Sequence, residues 1–271
     1  MGMINLKGKT VFITGGASGI GKALSRCFAK EGANLILMSR EGTKEDLILK
    51  EWAESLRKTC SVEVWTVSSE LSRPEGPEDL YNQVKACSPR VDVLVNNAAA
   101  MAFGLFHELS LADQDQLVAV NARAYMALMR LFIPEMVQRG SGHVLNVCSV
   151  SAFVPTPRHA VYGATKAFVQ ALSEAVNEEL KGTGVTVSTL NPGYTDTPLL
   201  QGGGFPKKLR FYSFAGKASP AVIAEKGVKA FIKGKRVYVP EPHLRALFLF
   251  FNRFTPKRFI NAISEWMVKG T

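Results

Sequence analysis

Residues 161–168, VYGATKAF, place a phenol and an ammonium four residues apart, at Tyr162 and Lys166. On a helix, residues i and i+4 are neighbours on one face. A phenol beside a buried cation is a better acid than a free phenol, whose pKa is about 10. Ser149 precedes Tyr162 by 13 residues and could bring a hydroxyl to the same place. These residues predict proton transfer, and the alternative is a tyrosine that caps the core beside a lysine that faces water.

Short apolar runs alternate with helical periodicity along the chain, and no linker rich in Gly, Pro or Ser divides them. This alternation is typical of parallel strands covered on both faces and joined by right-handed crossovers. We therefore predict an α/β fold, with one doubly wound domain over residues 1–271 and a seven-stranded parallel sheet of the Rossmann type. Strands are expected at 10–16, 34–40, 62–67, 91–99, 143–149, 185–193 and 235–240, and helices at 19–30, 45–58, 78–87, 111–138 and 159–180.

A glycine-rich turn, TGGASGIG at residues 14–21, follows the first strand and opens the first helix. Tight turns need residues without a Cβ atom, and the free N–H groups of a helix N-terminus suit a pyrophosphate. The spacing differs from Gly-x-Gly-x-x-Gly, so the turn by itself could be a purely structural element. Its place in a doubly wound sheet favours a dinucleotide. The candidate contacts are Gly15, Gly16, Ser18, Gly19, Ile20 and Gly21.

The end of the second strand indicates which dinucleotide is bound. Sites for NAD usually have an acid here for the ribose 2′-hydroxyl, whereas an arginine accommodates the 2′-phosphate of NADP. Ser39 takes the position of the acid, and Arg40 follows it. A guanidinium donates hydrogen bonds in a rigid fork that matches phosphate. The absent acid and Arg40 predict NADP(H), and the alternative for Arg40 is a solvated surface residue.

Three further strands end in small or hydrogen-bonding residues, in NNAA (96–99), CSVS (148–151) and NPGYTDTP (191–198). The ordered set of motifs resembles the short-chain dehydrogenase/reductase family, in its compact single-domain branch. The resemblance runs from about residue 8 to 240 through TGGASGIG, NNAA, Asn121 in VNARA, Ser149, YGATK and PGYTDT. Two departures are Ala99, where the family usually has glycine, and Glu70, where it commonly has an aspartate near the adenine.

The resemblance implies roles for individual residues. In the family, the match to Tyr162 exchanges a proton with the substrate oxygen, and the match to Ser149 hydrogen-bonds that oxygen. The match to Lys166 lowers the pKa of the tyrosine and holds the nicotinamide ribose. The match to Asn121 holds a water in the proton relay, although an asparagine there could equally be a kink or a surface residue. Besides Tyr162 and Lys166, the further cofactor contacts implied are Glu70, Leu71, Asn97, Ala98, Pro192, Gly193, Thr195 and Thr197.

The net charge of +10 is concentrated at one end of the chain. Residues 206–271 hold 14 Lys and Arg against 3 acids, a net charge of +11, so residues 1–205 sum to −1. No aromatic-rich strand motif or recognition helix accompanies this charge, which argues against nucleic acid and favours an anionic substrate or a membrane surface. The cysteines and histidines have no paired or metal-ligand spacing, so we expect free thiols and no metal. His159 begins the Tyr162 helix and could face the cleft, but a histidine at a helix end is more often solvated, and that is the position we expect.

The N-terminus MGMINLKGKT has no apolar core of signal-peptide length, and no stretch approaches the roughly 20 apolar residues that span a bilayer. We therefore expect a cytoplasmic protein, in peripheral contact with a membrane at most. The family resemblance suggests a homodimer or homotetramer. Residues 197–219, rich in glycines, aromatics and cations, suit a mobile lid, and the alternative is a surface loop without function.

An apolar and basic C-terminal extension covers residues 243–271, with short helices expected at 243–254 and 257–268. In the second helix, one face holds Phe259, Ile260, Ile263, Trp266 and Met267. The extension could cap a lipophilic substrate pocket, pack at a subunit interface, lie in a membrane interface, or pack within the subunit. We favour the cap.

Together these features predict an NADPH-dependent carbonyl reductase, also able to act as an alcohol dehydrogenase. Its substrate is expected to be a lipophilic ketone, aldehyde, fatty-acyl or steroid-like compound. Three alternatives are a non-enzymatic NADP(H)-binding redox sensor, a nucleotide-sugar epimerase or dehydratase, and a peripheral membrane or nucleic-acid binder. A sensor has no need of Ser149, Tyr162 and Lys166 together. An epimerase differs in glycine spacing and needs a longer chain, and the last alternative rests only on the basic end.

Overall fold

The apolar runs of the sequence form seven strands. They are β1 (Thr10–Thr14), β2 (Asn34–Arg40), β3 (Val64–Ser69), β4 (Val93–Asn96), β5 (Gly142–Val147), β6 (Val185–Leu190) and β7 (Val237–Tyr238). Neighbouring strands pair in parallel, in the order β3-β2-β1-β4-β5-β6-β7. The predicted doubly wound Rossmann-type sheet is confirmed, and its order reverses between β1 and β4, where such sheets bind ligands. The structure, a computed structural model, describes residues 3–202, 204–206, 208–250 and 254–268.

Helices cover both faces of the sheet. They are α1 (Gly19–Lys30), α2 (Lys44–Cys60), α3 (Gly76–Cys87), α4 (Leu111–Val118), α5 (Ala124–Gln138), α6 (Ala160–Glu179), α7 (Pro198–Gln201), α8 (Arg210–Ala215), α9 (Pro220–Ile232), α10 (Pro242–Arg245) and α11 (Lys257–Val268). The expected boundaries differ by a few residues. For example, β3 begins at Val64 rather than residue 62, because Ser61 ends α2 in the left-handed conformation with φ 53°.

Strand β1 shows why the sheet is buried on both faces. All five of its residues are buried, and alternate side chains point to opposite faces. Val11 and Ile13 pack in one cluster with Phe28 of α1. Phe12 lies on the other face, with its ring 5.7 Å from that of Phe132 in α5. Each such side chain stabilises the fold by about 1.5–3 kcal/mol, so a charged substitution at Ile13 would break this packing.

Helices α4 and α5 are joined by a π-helical turn, Ala119–Arg123, so that Leu111–Gln138 is continuous. By length and composition this helix could cross a membrane, with a mean hydropathy of 1.3 in its most apolar window. The expectation that no stretch reached that length was therefore wrong here. Half of the window is buried in this structure. Leu128 and Met129 pack in the core with Phe132, which explains the apolar composition.

The C-terminal part of the chain packs on the end of the sheet. A π turn, Ala246–Phe250, follows α10, and residues 251–253, which belong to the expected helix 243–254, lie outside the described residues. Leu244 and Phe248 form a buried cluster with Val150, Phe211 and Val239. This cluster joins the extension to α8 of the expected lid and to the segment that follows β5.

Candidate functional site

A cleft of about 600 Å³ opens beyond the carboxyl ends of the strands. Of the 20 predicted site residues, 16 line it. These are Gly15, Ser18, Gly19, Ile20, Arg40, Glu70, Leu71, Asn97, Ala98, Ser149, Tyr162, Lys166, Pro192, Gly193, Thr195 and Thr197. The topology therefore brings together residues that are far apart in the sequence, because the ends of parallel strands meet at one edge.

The other four predicted residues lie behind the cleft. Gly16 packs against the side chain of Leu37, and a Cβ atom at Gly21 would collide with the Gly15 carbonyl. Ser39 is 1% exposed and donates its hydroxyl hydrogen bond to Asp46 in the first turn of α2, so the structure corrects its prediction as a cofactor contact. Asn121, the fourth, is fully buried.

The glycine-rich turn joins the ends of β1 and β4. Gly15 has φ 68°, which only glycine adopts freely. The Asn97 amide donates to the carbonyls of Thr14 and Gly15, at 2.9 and 3.2 Å, and Ser18 stands at the N-cap of α1 without a side-chain capping bond. The free N–H groups of this helix end lie beside Gly15, Ser18 and Gly19, which line the cleft, while the missing Cβ atom of Gly21 lets the helix pack closely on the Gly15 carbonyl. The turn therefore fits the pyrophosphate of a dinucleotide.

At the end of β2, Arg40 lines this cleft, is exposed, and makes no side-chain ion pair with the other described residues. Its guanidinium is thus available to a phosphate. Glu45, at the start of α2, lines the same cleft and was missed by the sequence interpretation. The Glu70 carboxylate accepts hydrogen bonds from the backbone and hydroxyl of Ser72, at 3.0 and 2.7 Å, so it is held by its own loop.

Ser149, Tyr162 and Lys166 meet at the inner end of the cleft, and all three are buried. The Ser149 hydroxyl donates to the Pro192 carbonyl at 3.5 Å and is close enough to the Tyr162 phenol to lower the pKa of that group. The Lys166 ammonium donates to the Val147 carbonyl at 3.0 Å and lies 5.7 Å from the centre of the Tyr162 ring. The arrangement presents a phenol and a hydroxyl to one point, next to a cation.

Burial sets the protonation states of these groups. It lowers the pKa of Lys166 to about 8 and raises the pKa of Tyr162 above its ordinary value. The Ser149 hydroxyl opposes the rise at Tyr162. The expected lowering of the Tyr162 pKa by Lys166 is therefore outweighed, because desolvation of the phenolate is the larger effect.

Asn121 lies in the π turn and is turned towards the loop after β4. Its amide oxygen accepts from the Ala100 N–H and its amide nitrogen donates to the Ala100 carbonyl, both at 2.8 Å. It is neither a surface residue nor a free side chain. The two bonds to Ala100 anchor the side chain to this loop, and the amide nitrogen also lies 3.4 Å from the Thr165 hydroxyl. The amide oxygen has a second lone pair, so the implied binding of a relay water stays a prediction.

Tyr125 was missed by the sequence interpretation. It is 1% exposed and lies beneath Lys166, with its ring centre 5.0 Å from the ammonium. The sequence feature that could have identified Tyr125 is its spacing of four residues from Asn121, which places both side chains on the same side of a helix.

His159 is 3% exposed, so the expectation that it is solvated was wrong. Its ring stacks on Phe103 at 5.9 Å and lies 5.7 Å from the ring of Phe205. Burial lowers the pKa of His159 to about 4, which keeps the imidazole neutral at physiological pH. Its Nδ1 atom has no hydrogen-bond partner in the described part of the chain. The signal in the sequence was its position three residues before Tyr162.

Gly193, which lines the cleft, contacts Glu241 and the first turn of the C-terminal extension. The Gly193 N–H donates to the Glu241 carboxylate at 3.2 Å, and burial raises the pKa of this carboxyl group. A Cβ atom at Gly193 would lie 2.5 Å from Leu244 Cδ1. The extension is therefore packed against a predicted cofactor-binding turn.

The base of the expected lid is closed by backbone bonds. Ala218 donates to the carbonyl of Tyr194 and accepts from Asp196, both at 2.9 Å. Between these ties lie α7 and α8, with Gly203 and Lys207 outside the described residues. Among described residues, no three His, Cys, Asp or Glu side chains come together as a metal site, and the four cysteines are free.

Known proteins resemble this chain in sequence and structure. The family model for short chain dehydrogenase matches residues 9–203. An uncharacterized oxidoreductase of Staphylococcus epidermidis is 31% identical over 206 residues, which cover 76% of this chain and 86% of the relative. The very-long-chain 3-oxoacyl-CoA reductase of Bos taurus is 35% identical over 198 residues, covering 71% and 61% of the two chains. A short-chain dehydrogenase from Sphingobium yanoikuyae, in complex with NADPH, has a TM-score of 0.81 at 28% identity and covers 91% and 93%.

Proposed function

Because this chain belongs to the short-chain dehydrogenase/reductase family of oxidoreductases, we propose that it is an NADPH-dependent reductase of lipophilic carbonyl compounds that can also oxidise the alcohols. The observation that carries the proposal is the meeting of Ser149, Tyr162 and Lys166 in the cleft that holds the glycine-rich turn. Arg40 and the NADPH complex of the Sphingobium relative support the choice of cofactor.

The residues of the chain divide the work of the reaction. NADPH, when bound, supplies the hydride. Tyr162 donates a proton to the carbonyl oxygen, and Ser149 hydrogen-bonds that oxygen as charge develops on it. Ser149 favours release of the tyrosine proton against the effect of burial. The Lys166 ammonium, 5.7 Å from the centre of the Tyr162 ring, adds a positive charge that stabilises the phenolate. In the reverse direction, the phenolate accepts the proton of the alcohol.

The substrate class follows from apolar side chains of the cleft. Met101, Val150, Leu199 and Leu200 line the same cleft as Tyr162. Apolar walls around a few polar groups are typical of sites for lipophilic ligands. The name of the Bos taurus relative, a very-long-chain 3-oxoacyl-CoA reductase, supports a fatty-acyl type of carbonyl compound.

A carbonyl panel tests the proposal. Purified protein is mixed with NADPH and with ketones, aldehydes and 3-oxoacyl thioesters of increasing hydrophobicity, and the loss of NADPH absorbance is followed. We expect turnover that increases with the hydrophobicity of the carbonyl compound. A chain that binds NADPH but neither reduces any carbonyl compound nor oxidises any alcohol would instead favour a non-enzymatic NADP(H)-binding sensor.

Lipid contact is a second candidate property, favoured by the outer side of α11. Phe259, Ile263 and Trp266 form one stripe and are 50%, 51% and 52% exposed. Arg258 stacks on Phe259 and Arg210 on Trp266, with guanidinium-to-ring distances of 4.9 and 5.1 Å. An apolar stripe bordered by cations suits the interface of an anionic bilayer.

Sedimentation with vesicles tests this contact. The chain should sediment with anionic vesicles and not with zwitterionic ones, and the double variant Phe259→Ser/Trp266→Ser should remain in the supernatant. Val222→Ser, which removes another exposed apolar side chain, is the control. A fall in oligomer size in the double variant, without an effect on sedimentation, would assign the stripe to a subunit interface.

A further inference from the structure

A second cavity, of about 120 Å³, adjoins the inner end of the catalytic cleft. Four residues line both spaces, namely Val150, Ser151, His159 and Tyr194. Val150 and Ser151 follow the catalytic Ser149 directly, and His159 precedes Tyr162 by three residues. The cavity therefore begins where the carbonyl group of a substrate would be held.

The outer wall of the cavity is the C-terminal extension. Leu247 and Phe248 of the π turn face Ile260 and Met267 of α11 across it, and Val268 lines it as well. The remaining lining is mainly apolar, with a few hydroxyl groups. An apolar cavity of this size gives a water molecule few hydrogen-bond partners, so it tends to stay dry and to accept apolar groups.

The boundary between the two spaces is aromatic and uncharged. His159 and Tyr194 lie there, with ring centres 6.4 Å apart, and Phe211 packs on Tyr194 at 4.8 Å. The low pKa of His159 keeps its imidazole neutral at physiological pH. An apolar chain therefore meets no charged group of the described residues that line the cavity.

We propose that this cavity is a subsite for the aliphatic tail of the carbonyl substrate, with α11 as its outer wall. The proposal rests on the proposed reductase function and narrows its substrate class to carbonyl compounds with a flexible, unbranched chain. A volume of 120 Å³ corresponds to about four groups the size of a water molecule, at ~30 Å³ each, and a methylene group is of similar size. The cavity thus accommodates about four carbons beyond the reacting region.

A homologous series of straight-chain methyl ketones, from butanone to dodecanone, tests the subsite. In the unmutated chain, kcat/KM should rise about fourfold per methylene while the tail enters the cavity, and level off after about four such steps. Ile260→Trp fills the cavity and should lower the ratio of kcat/KM for dodecanone to that for butanone at least about tenfold. Met267→Ala enlarges it and should move the plateau to longer ketones.

Asn261→Trp is the matched control, because Asn261 is exposed on α11 and does not line the cavity. The same bulk at this position should leave the ratio unchanged. The proposal would be overturned if this dodecanone-to-butanone ratio fell equally in the Ile260 and Asn261 variants. It would also be overturned if the ratio stayed unchanged in both the Ile260 and Met267 variants.

Calorimetric titration with decanol gives a readout that does not depend on turnover. Decanol should bind the unmutated chain and bind the Ile260→Trp variant at least about tenfold more weakly. If no carbonyl compound of the panel or of the ketone series is reduced by the unmutated chain, the reductase proposal fails, and this titration alone decides whether the cavity accepts an aliphatic chain. Decanol binding that weakens in the variant while the ketone ratio stays constant would assign the cavity to a separate amphiphile and overturn the tail subsite.

Discussion

The Lys166 ammonium lies 3.5 Å from the Tyr125 hydroxyl, and both groups donate to the carbonyl of Val147, at 3.0 and 3.3 Å. The Tyr125 hydroxyl also lies 3.1 Å from the carbonyl of Ala98. Because the single hydroxyl proton of Tyr125 points to these carbonyls, a lone pair of the hydroxyl oxygen faces the Lys166 ammonium. Tyr125 therefore holds Lys166 at the end of β5, close to the phenol of Tyr162.

Tyr125→Phe tests this positioning role, because it keeps the ring and removes the hydroxyl that stabilises the charged form of Lys166. Burial already lowers the pKa of Lys166 to about 8, so the lysine loses its charge as the pH rises through that value. The variant should lower this pKa further. We expect the alkaline limb of the kcat/KM profile to move down by about one pH unit, with about a twofold loss at about pH 7 and about a tenfold loss above about pH 9.

Tyr81→Phe is the control for this variant, because it removes a hydroxyl that bonds Glu135 away from the cleft. It should leave the pH profile unchanged. A Tyr125→Phe enzyme with the original alkaline limb would show that the hydroxyl does not act on Lys166.

Arg40 should set the preference for NADPH over NADH. Its exposed guanidinium lines the cleft, and a hydrogen bond to a charged group contributes about 1.5–3 kcal/mol. Arg40→Ala should weaken NADPH binding about 10-fold to 100-fold and change NADH binding little, as measured by titration of cofactor fluorescence. Arg73→Ala, which removes an exposed arginine 3.1 Å from Glu41, controls for the loss of charge. Equal affinities of the unmutated chain for both cofactors would contradict the assignment.

His159 should make the fold sensitive to acid. Its pKa is about 4 in the folded chain and about 6.5 when unfolded, so the unfolded chain binds the proton more readily. Stability is therefore unaffected above about pH 6.5 and falls as the pH decreases towards 4, by about 2 kcal/mol at about pH 5.

His159→Gln should remove most of this acid-dependent loss, as measured by urea unfolding at about pH 7 and about pH 5. His107→Gln removes an imidazole that is 77% exposed, and it should leave the loss in place. The same loss in the His159 and His107 variants would mean that other groups cause the acid sensitivity.

Gly193 and Leu244 should be coupled in cofactor binding. A Cβ atom at Gly193 would approach Leu244 Cδ1 to 2.5 Å, so Gly193→Ala forces the turn or α10 to move. We expect the variant to bind NADPH about tenfold more weakly and to unfold at lower temperature. Leu244→Ala makes room for the added methyl group, and the double variant should regain most of the affinity. Additive losses in the double variant would exclude this contact as the cause.

The strands and the glycine-rich turn could be predicted because their signals are local. A continuous apolar run such as Val11–Ile13 needs burial on both faces, and glycines after such a strand need a tight turn. The order of these motifs then brings most predicted site residues to one edge of the sheet, through the topology of the fold.

The remaining features depend on contacts between distant parts of the chain. His159 reads as a solvated helix start, yet Phe103 and Phe205 come from two remote loops to cover it. Ser39 is turned away from the cleft by Asp46, whose position depends on how α2 packs. No local pattern contains these relations, so the sequence alone could not predict them.

Tyr162→Phe tests the central claim most directly, because it removes only the hydroxyl proposed to carry the proton. With a carbonyl compound that the unmutated chain reduces, kcat should fall about 10² to 10⁴-fold, since general acid catalysis contributes rate factors of that size. NADPH affinity, measured by fluorescence titration of the same preparation, should stay within about threefold, because the phenol is not proposed to supply most of the cofactor binding. Turnover near the original rate, in a variant that still binds NADPH, would show that another group donates the proton.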